Sequence, residues 1–253
     1  MSVMSRRQAE QIRAREHRFP WFLLAVLLPI LAMPFTRLDG NLFERLCLPV
    51  VGANLVLQSL RIMPASIQAG HLPGGAYAYR GLAICTVISG FLPYVLGRNA
   101  SHGLVLLLLV GGCGFYLLTV TRIVKILARV EGVSVSTLCL GAAGYVHLGL
   151  TAGQLATFLE VLQPRSFNLG TMLPGSEVVE RLTYFSFITL GSIGYGDILP
   201  ATPPAEFFAV VLSIAGTLYM SLMIGLLLSR YINDQTQAVA SAAKDEFIRS
   251  EDV

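Results

Sequence analysis

The chain has 253 residues, of which 54% are apolar and 13% charged, and its formal net charge is +3. Soluble domains carry about a quarter charged residues, so charge here must be confined to short segments between long uncharged runs. That pattern excludes a soluble globular domain and selects an all-α protein with several membrane spans.

The first 18 residues form a polar segment with Arg6, Arg7, Arg13, Arg15 and Arg18. A signal peptide would offer a short basic start, an apolar core and a small-residue cleavage site. This segment is long and amphipathic, so residues 1–18 are expected to remain as a cytoplasmic N-terminal segment. Six spans follow, against a requirement of about 17–20 apolar residues for a core of about 30 Å. They run from Phe19 to Phe35, Leu46 to Met63, Gly81 to Leu96, His102 to Thr121, Val133 to Val161, and Pro204 to Tyr231. The second contains Pro49, Asn54 and Gln58, whose polar groups should face neighbouring helices rather than lipid. Between the fifth and sixth spans, Leu162 to Ser176 is polar, with two prolines and two glycines, fit for an outer loop. Ser176 can then cap a short helix opening Glu177-Val178-Val179-Glu180, with acids in its first turn where the dipole favours them. Further on, Pro200, Pro203 and Pro204 break the chain and start the sixth helix with proline in its first turn.

Basic residues orient this layout. With the N-terminus inside, the inner segments hold thirteen: the five arginines above, Arg61, Arg80, Arg122, Lys125, Arg129, Arg230, Lys244 and Arg249. The outer segments hold five: Arg37, Arg45, Arg98, Arg165 and Arg181. The positive-inside rule expects that bias, so both termini should be cytoplasmic, in a multi-pass protein of the cell membrane.

After the short helix comes Thr189-Leu190-Gly191-Ser192-Ile193-Gly194-Tyr195-Gly196-Asp197. A Gly-x-x-Gly-x-Gly run can also be a phosphate-binding turn, but such a loop follows a strand in a soluble fold, and here an apolar span lies on each side. The stretch resembles the Thr-Val-Gly-Tyr-Gly-Asp selectivity filter of tetrameric potassium channels. Tyr184-Phe185-Ser186-Phe187-Ile188-Thr189-Leu190 resembles the family's aromatic-rich pore helix, and Ala215-Gly216-Thr217-Leu218-Tyr219-Met220 the inner helix of its bacterial members. The resemblance covers roughly residues 135 to 233, and with six spans it points to the six-transmembrane, voltage-gated-like type.

That resemblance implies a re-entrant pore helix and filter loop, repeated in a homotetramer of this subunit and three identical ones within the lipid bilayer. Backbone carbonyls of Ser192, Ile193, Gly194 and Tyr195, with the Ser192 hydroxyl, would replace the hydration shell of K+. Gly194 and Gly196 would supply φ > 0, Tyr195 would turn its ring against the pore helix, and Asp197 would cap the outer mouth. Tyr184 would hydrogen-bond Asp197, Phe185 and Thr189 would support the filter, and Gly216 would be the hinge at which the inner helix bends. Two positions depart from the family: Ser192 stands where threonine is usual, and Gly191 where a second threonine often stands. Serine keeps the hydroxyl and loses a methyl that fixes its rotamer, so Ser192→Thr is expected to retain conduction. The same resemblance divides the chain into residues 1–18, a voltage-sensor-like unit at 19–130, a pore domain at 131–233, and a cytoplasmic tail at 234–253.

Other groups carry blander readings beside functional ones. Gly216 is also suited to close helix packing. Gly111, Gly112 and Gly114, with Gly141 and Gly144, read as packing faces. His147 is an ionisable group at membrane depth, or a neutral imidazole bonded to a neighbouring helix. Glu160 either reaches the headgroups or ties the outer loop to the filter's rim. Cys47, Cys85, Cys113 and Cys139 all fall in apolar runs and read as small buried hydrophobes. The Ala-rich stretch from Ala238 to Ala243 is suited to continue the sixth helix. Arg122, Lys125 and Arg129 are spaced for one helical face and are the possible voltage-sensor charges. They lie at the inner end of the fourth span, where little of the field acts on them.

The expected function is passive, potassium-selective conduction with weak or no voltage sensing and without enzyme chemistry, cofactor or nucleic-acid partner. The alternatives are a steeply voltage-gated potassium channel, a non-conducting regulatory or scaffold subunit, and a potassium transporter subunit, which would carry four single-glycine repeats in one chain.

Overall fold

The structure, a computed structural model, describes residues 14, 16–33, 42–63, 75–96, 102–128, 134–170 and 175–251. Among them the chain is helical: after a short turn at Glu16–Arg18 come α1 (Phe19–Ala32), α2 (Leu42–Ile62), α3 (Gly75–Leu96), α4 (His102–Leu127), α5 (Val135–Leu162), α6 (Gly175–Leu190) and α7 (Pro203–Glu251). Six of these helices fall on the six expected spans, and α6 is the short helix before the glycine-rich stretch. Three of them, α4, α5 and the first half of α7, are long and apolar enough to cross a membrane, by length and composition among the described residues. The 14 residues of α1 reach about 21 Å at 1.5 Å each. Most of the N-terminal segment, Arg129, and the start of the expected fifth span lie outside the described residues.

Local chemistry sets several boundaries. Ser134 caps α5, its hydroxyl accepting the Thr137 N–H at 3.2 Å, which satisfies one of the donors a helix leaves open at its start. Pro203 and Pro204 open α7, where a missing N–H costs nothing. From there α7 runs unbroken for 49 residues, so the Ala-rich tail does continue the sixth helix. The short helix α6 begins at Gly175, one residue before the expected cap at Ser176, whose side chain lies outside the described residues.

Packing is organised on α5. Helices α1 to α4 pack in chain order, each on the next, and α1 and α4 both lean on α5, as do α6 and α7. One core joins Phe22 and Val26 of α1, Leu55 of α2, Tyr79 of α3 and Phe115 and Ile123 of α4 to Leu140 and Ala143 of α5. A second joins Ala156 of α5 to Phe167, Leu182 and Phe185, Ile198 and Ala205.

Close approach depends on four places where α5 has no side chain. A Cβ at Gly141 would overlap Met223 and one at Gly144 would overlap Tyr219, both on α7. One at Gly149 would overlap the Phe187 ring, and one at Gly153 would lie 2.6 Å from Thr183 Oγ1 and 2.9 Å from Thr183 Cα, both on α6. The expected packing role of Gly141 and Gly144 is therefore realised against α7, and it extends two turns further to α6.

Gly153 faces backbone, which cannot rotate away as a ring can, so Gly153→Ala is expected to destabilise by about 1–3 kcal/mol, the range of core overpacking. Gly52 has nothing within 4 Å of its missing Cβ, so Gly52→Ala should be neutral or stabilising by up to about 1 kcal/mol. Thermal unfolding of the two variants in detergent, side by side, checks the pair; equal melting temperatures would mean that α5 and α6 are not in close contact.

Candidate functional site: a filter on the end of the pore helix

The stretch after α6 turns back on the helix that precedes it. Gly191 N–H donates to the Phe187 carbonyl (2.9 Å), Ser192 N–H to Thr189 (3.0 Å), and both Ile193 N–H (2.8 Å) and Gly194 N–H (3.3 Å) to Ile188. Carbonyls that a helix leaves open at its C-terminus thus take their donors from the filter residues themselves. The backbone then alternates: Ser192 (φ 56°), Gly194 (φ 59°) and Gly196 (φ 78°) are left-handed, while Ile193 and Tyr195 between them are not. Alternation of this kind turns successive carbonyls toward one side of a ribbon, the arrangement a dehydrated cation needs.

Gly194 and Gly196 take that conformation without a Cβ penalty. Ser192 takes it with one, and a β-branched residue at the same angle is a sharper outlier. Ser192→Thr therefore adds a backbone cost beside the hydroxyl that it keeps.

The rim is tied down from outside. At the end of α5 the Glu160 carboxylate accepts the N–H of Arg165 (2.8 Å) and of Phe167 (3.0 Å), holding a bend in which Arg165 is itself left-handed (φ 68°). Residues 166–168 then pair with 199–201 just after the filter: Asn168 N–H donates to Leu199 (2.8 Å) and Ala201 N–H to Ser166 (2.8 Å), around the Phe167–Pro200 bridge. Of the two readings of Glu160, its contacts are those of a tie between outer loop and rim. Phe185 stands in the second core with its ring 5.1 Å from Phe167, so it braces the rim through the outer loop. The Tyr184 hydroxyl faces the Asp197 carboxylate. Thr189 contributes the backbone carbonyl that receives Ser192. Tyr195 is 71% exposed in the single subunit.

On the inner side, Gly216 is buried against α6, where a Cβ would overlap the Leu190 carbonyl oxygen. Tyr219, one turn on, donates its hydroxyl to the Gly141 carbonyl at 2.8 Å. Neither Tyr219 nor Tyr145, which reaches the same region, stands out in the sequence; the glycines that admit Tyr219 were the available signal.

Arg122 and Lys125 do not share an environment. The Arg122 guanidinium lies 3.9 Å above the Tyr79 ring and is 8% exposed, while Lys125 is exposed. Tyr79 is itself fixed by Thr119, hydroxyl to hydroxyl at 2.9 Å. Arg129 lies outside the described residues. His147 is fully buried, its ring 5.2 Å from Tyr116 and 6.2 Å from Phe22. Neither ring nitrogen has a hydrogen-bond partner among the described residues, which corrects the expectation of a bond to a neighbouring helix.

Two outcomes follow from this geometry. Nothing lies within 4 Å of a Cβ at Gly194, so Gly194→Ala acts only through the left-handed backbone, at about 1–2 kcal/mol per subunit; it is expected to abolish ion passage while leaving assembly intact, as read by size-exclusion chromatography beside flux. Glu160→Ala removes two bonds to a charged acceptor and should cost about 1.5–3 kcal/mol, with Glu160→Gln intermediate. Denaturation midpoints check the order, and an unchanged midpoint in the alanine variant would remove the tie.

Comparison with known proteins places this region. Residues 135–233, from α5 into α7, match the sequence profile of a family described as ion channel. The chain is 34% identical over 72 residues to a protein named two pore potassium channel c from Oryza sativa subsp. japonica, over 28% of this chain and 16% of that protein. It is 30% identical over 56 residues to two-pore potassium channel 4 from Arabidopsis thaliana, over 22% of this chain and 20% of that protein. The matched stretches therefore span a fifth or less of those relatives' own lengths, and no solved structure matches. Residues 135–233, from α5 through the glycine-rich stretch into α7, are thus similar to ion channels, in a chain with three helices long and apolar enough to cross a membrane among the described residues.

Proposed function

We propose that this chain is the subunit of a homotetrameric potassium channel, passing K+ down its gradient through a central pore built from residues near 176–233 of each subunit. The observation that carries the reading is the alternating left-handed backbone at Ser192, Gly194 and Gly196, seated on the C-terminal end of α6. One subunit supplies one wall of such a path, and four around an axis close it. The surface of a single subunit supports that assembly: Ile193, Tyr195, Phe207, Val210, Ile214 and Leu218 are each more than half exposed, an apolar stripe running from the filter along α7. The likeness of residues 135–233 to ion channels, and of shorter stretches to two named potassium channels, supports potassium as the permeant ion. In this reading the six long helices span the cell membrane with both termini cytoplasmic, Gly216 is the bending point of the inner helix, and Tyr184 and Asp197 form the outer rim.

Voltage sensing is weak in this proposal. Lys125 is exposed near the end of α4, and Arg122 is held on the Tyr79 ring with its neighbours Ile123 and Ile126 packed in the core, which opposes sliding of α4. A second reading, a steeply voltage-gated channel, is favoured by one observation: Arg122 sits inside the helix packing instead of at its surface.

Purified protein in liposomes, with a potassium gradient and a valinomycin-free control, is expected to show potassium flux and far slower sodium flux. A well-formed tetramer without flux would leave the non-conducting scaffold. In planar bilayers the conductance–voltage curve is expected to be shallow, because moving one charge through the field yields about 2.3 kcal/mol per 100 mV and, of the described cations of α4, only Arg122 is buried in the helix packing. A steep curve that Arg122→Gln flattens would establish the second reading.

A further inference from the structure

The last carbonyl of the pore helix has a different partner from the carbonyls before it. Phe187, Ile188 and Thr189 receive N–H groups of the filter stretch. Among the described residues no backbone N–H reaches the Leu190 carbonyl; the Tyr145 hydroxyl of α5 donates to it at 3.4 Å. From the other side α7 presents Gly216, whose missing Cβ leaves the space that this oxygen occupies. The Leu190 side chain is buried with Ala152 and Leu212, and Tyr145 and Phe208 pack against that cluster. Tyr145 is in turn set by Tyr219, ring centroids 5.8 Å apart.

The next residue is glycine. Gly191 lacks the side chain that would limit rotation of the Leu190–Gly191 peptide, and it lies immediately before Ser192, the innermost residue of the alternating ribbon. A carbonyl at this joint that lost its donor would leave the peptide held at its other end alone, by the Gly191 N–H on the Phe187 carbonyl, and a turn toward the ion path would add an oxygen where the ribbon does not provide for one and pull on the Ser192 backbone.

We propose that Tyr145 is a positioning residue for the inner end of the filter: its hydroxyl, with the close approach of Gly216, fixes the Leu190 carbonyl away from the ion path. This rests on the channel reading. It also gives Gly216 a task beside bending, because any displacement of α7 at that point changes the seat of the carbonyl and is felt at the filter.

The test uses full-length wild-type protein and Tyr145→Phe, which keeps the ring and its contact with Tyr219 and removes only the donor. In solid-state NMR of tetramers in bilayers, carbonyl-13C leucine with 15N glycine selects the Leu-Gly pairs at 96/97, 140/141, 148/149, 169/170 and 190/191, and the Leu190 signal is assigned as the one that Gly191→Ala removes. The Leu190 carbonyl is expected to shift upfield in the variant, with the melting temperature and assembly unchanged. That readout needs no conduction, so it stands even if the liposome assay shows no flux. In single-channel recordings the variant is expected to shorten open bursts or change barium residence in the filter by about two- to tenfold, the effect of one neutral hydrogen bond. Gly191→Ala in the Tyr145→Phe background, which restrains the same peptide from its other side, should restore part of the wild-type behaviour. An unmoved Leu190 carbonyl signal in Tyr145→Phe overturns the inference, as do wild-type bursts and barium residence where the wild type conducts.

Discussion

The pore region depends on the Ile188 carbonyl, which receives the N–H of Ile193 and of Gly194. A helix end needs donors for its last carbonyls, and a filter needs its backbone held in conformations that most residues avoid. Here one set of bonds meets both needs. The ribbon is folded back onto the helix end by donors that a continuing helix would have directed along its own axis, and the left-handed turns at Ser192 and Gly194 follow from that reversal. The acceptor end of α6 is also the negative end of its dipole, so the group that shapes the ribbon favours a cation beside it.

Around this joint the structure supplies restraint from two directions. Outside, the Glu160 carboxylate fixes the bend at Arg165 and Phe167, and the short pairing of 166–168 with 199–201 transfers that fixity to the residues after Asp197. Inside, α7 reaches the Leu190 carbonyl through Gly216. Both run through α5, which carries Glu160 at its outer end and Gly153, Gly149, Gly144 and Gly141 along the faces that meet α6 and α7. Because α1 and α4 lean on the same helix, α5 is also the element that joins the first four helices to α6 and α7. Its Gly144 is a junction of three elements: a Cβ there would lie 2.9 Å from Ile123 of α4 and would overlap Tyr219 of α7.

Much of this was legible in the sequence, for physical reasons. Helices follow from apolar runs and their breaks, and left-handed backbone from glycine spacing, so α1 to α7 overlap the expected helical segments and Gly194 and Gly196 have the expected positive φ. Contacts that depend on which face of a helix meets which neighbour were not legible. His147 gave no sign that its ring would rest between Tyr116 and Phe22 without a hydrogen bond, and the equal spacing of Arg122 and Lys125 concealed that only Arg122 turns inward. Ser192 was read through its hydroxyl, and its left-handed backbone gave no sign in the sequence. Glu160 left two readings open because both place a carboxylate at the outer end of a span; only the folded loop separates them.

The central claim is that four copies of this ribbon make a stack of potassium sites from backbone oxygen. Anomalous X-ray scattering from crystals of the assembled protein grown in a thallium salt, thallium being a scattering substitute for potassium, tests it most directly. The account predicts a column of anomalous peaks on the four-fold axis at the level of the peptide groups from Ser192 to Gly196, absent in Gly194→Ala. An intact four-fold assembly with no peak on its axis at that level would contradict it.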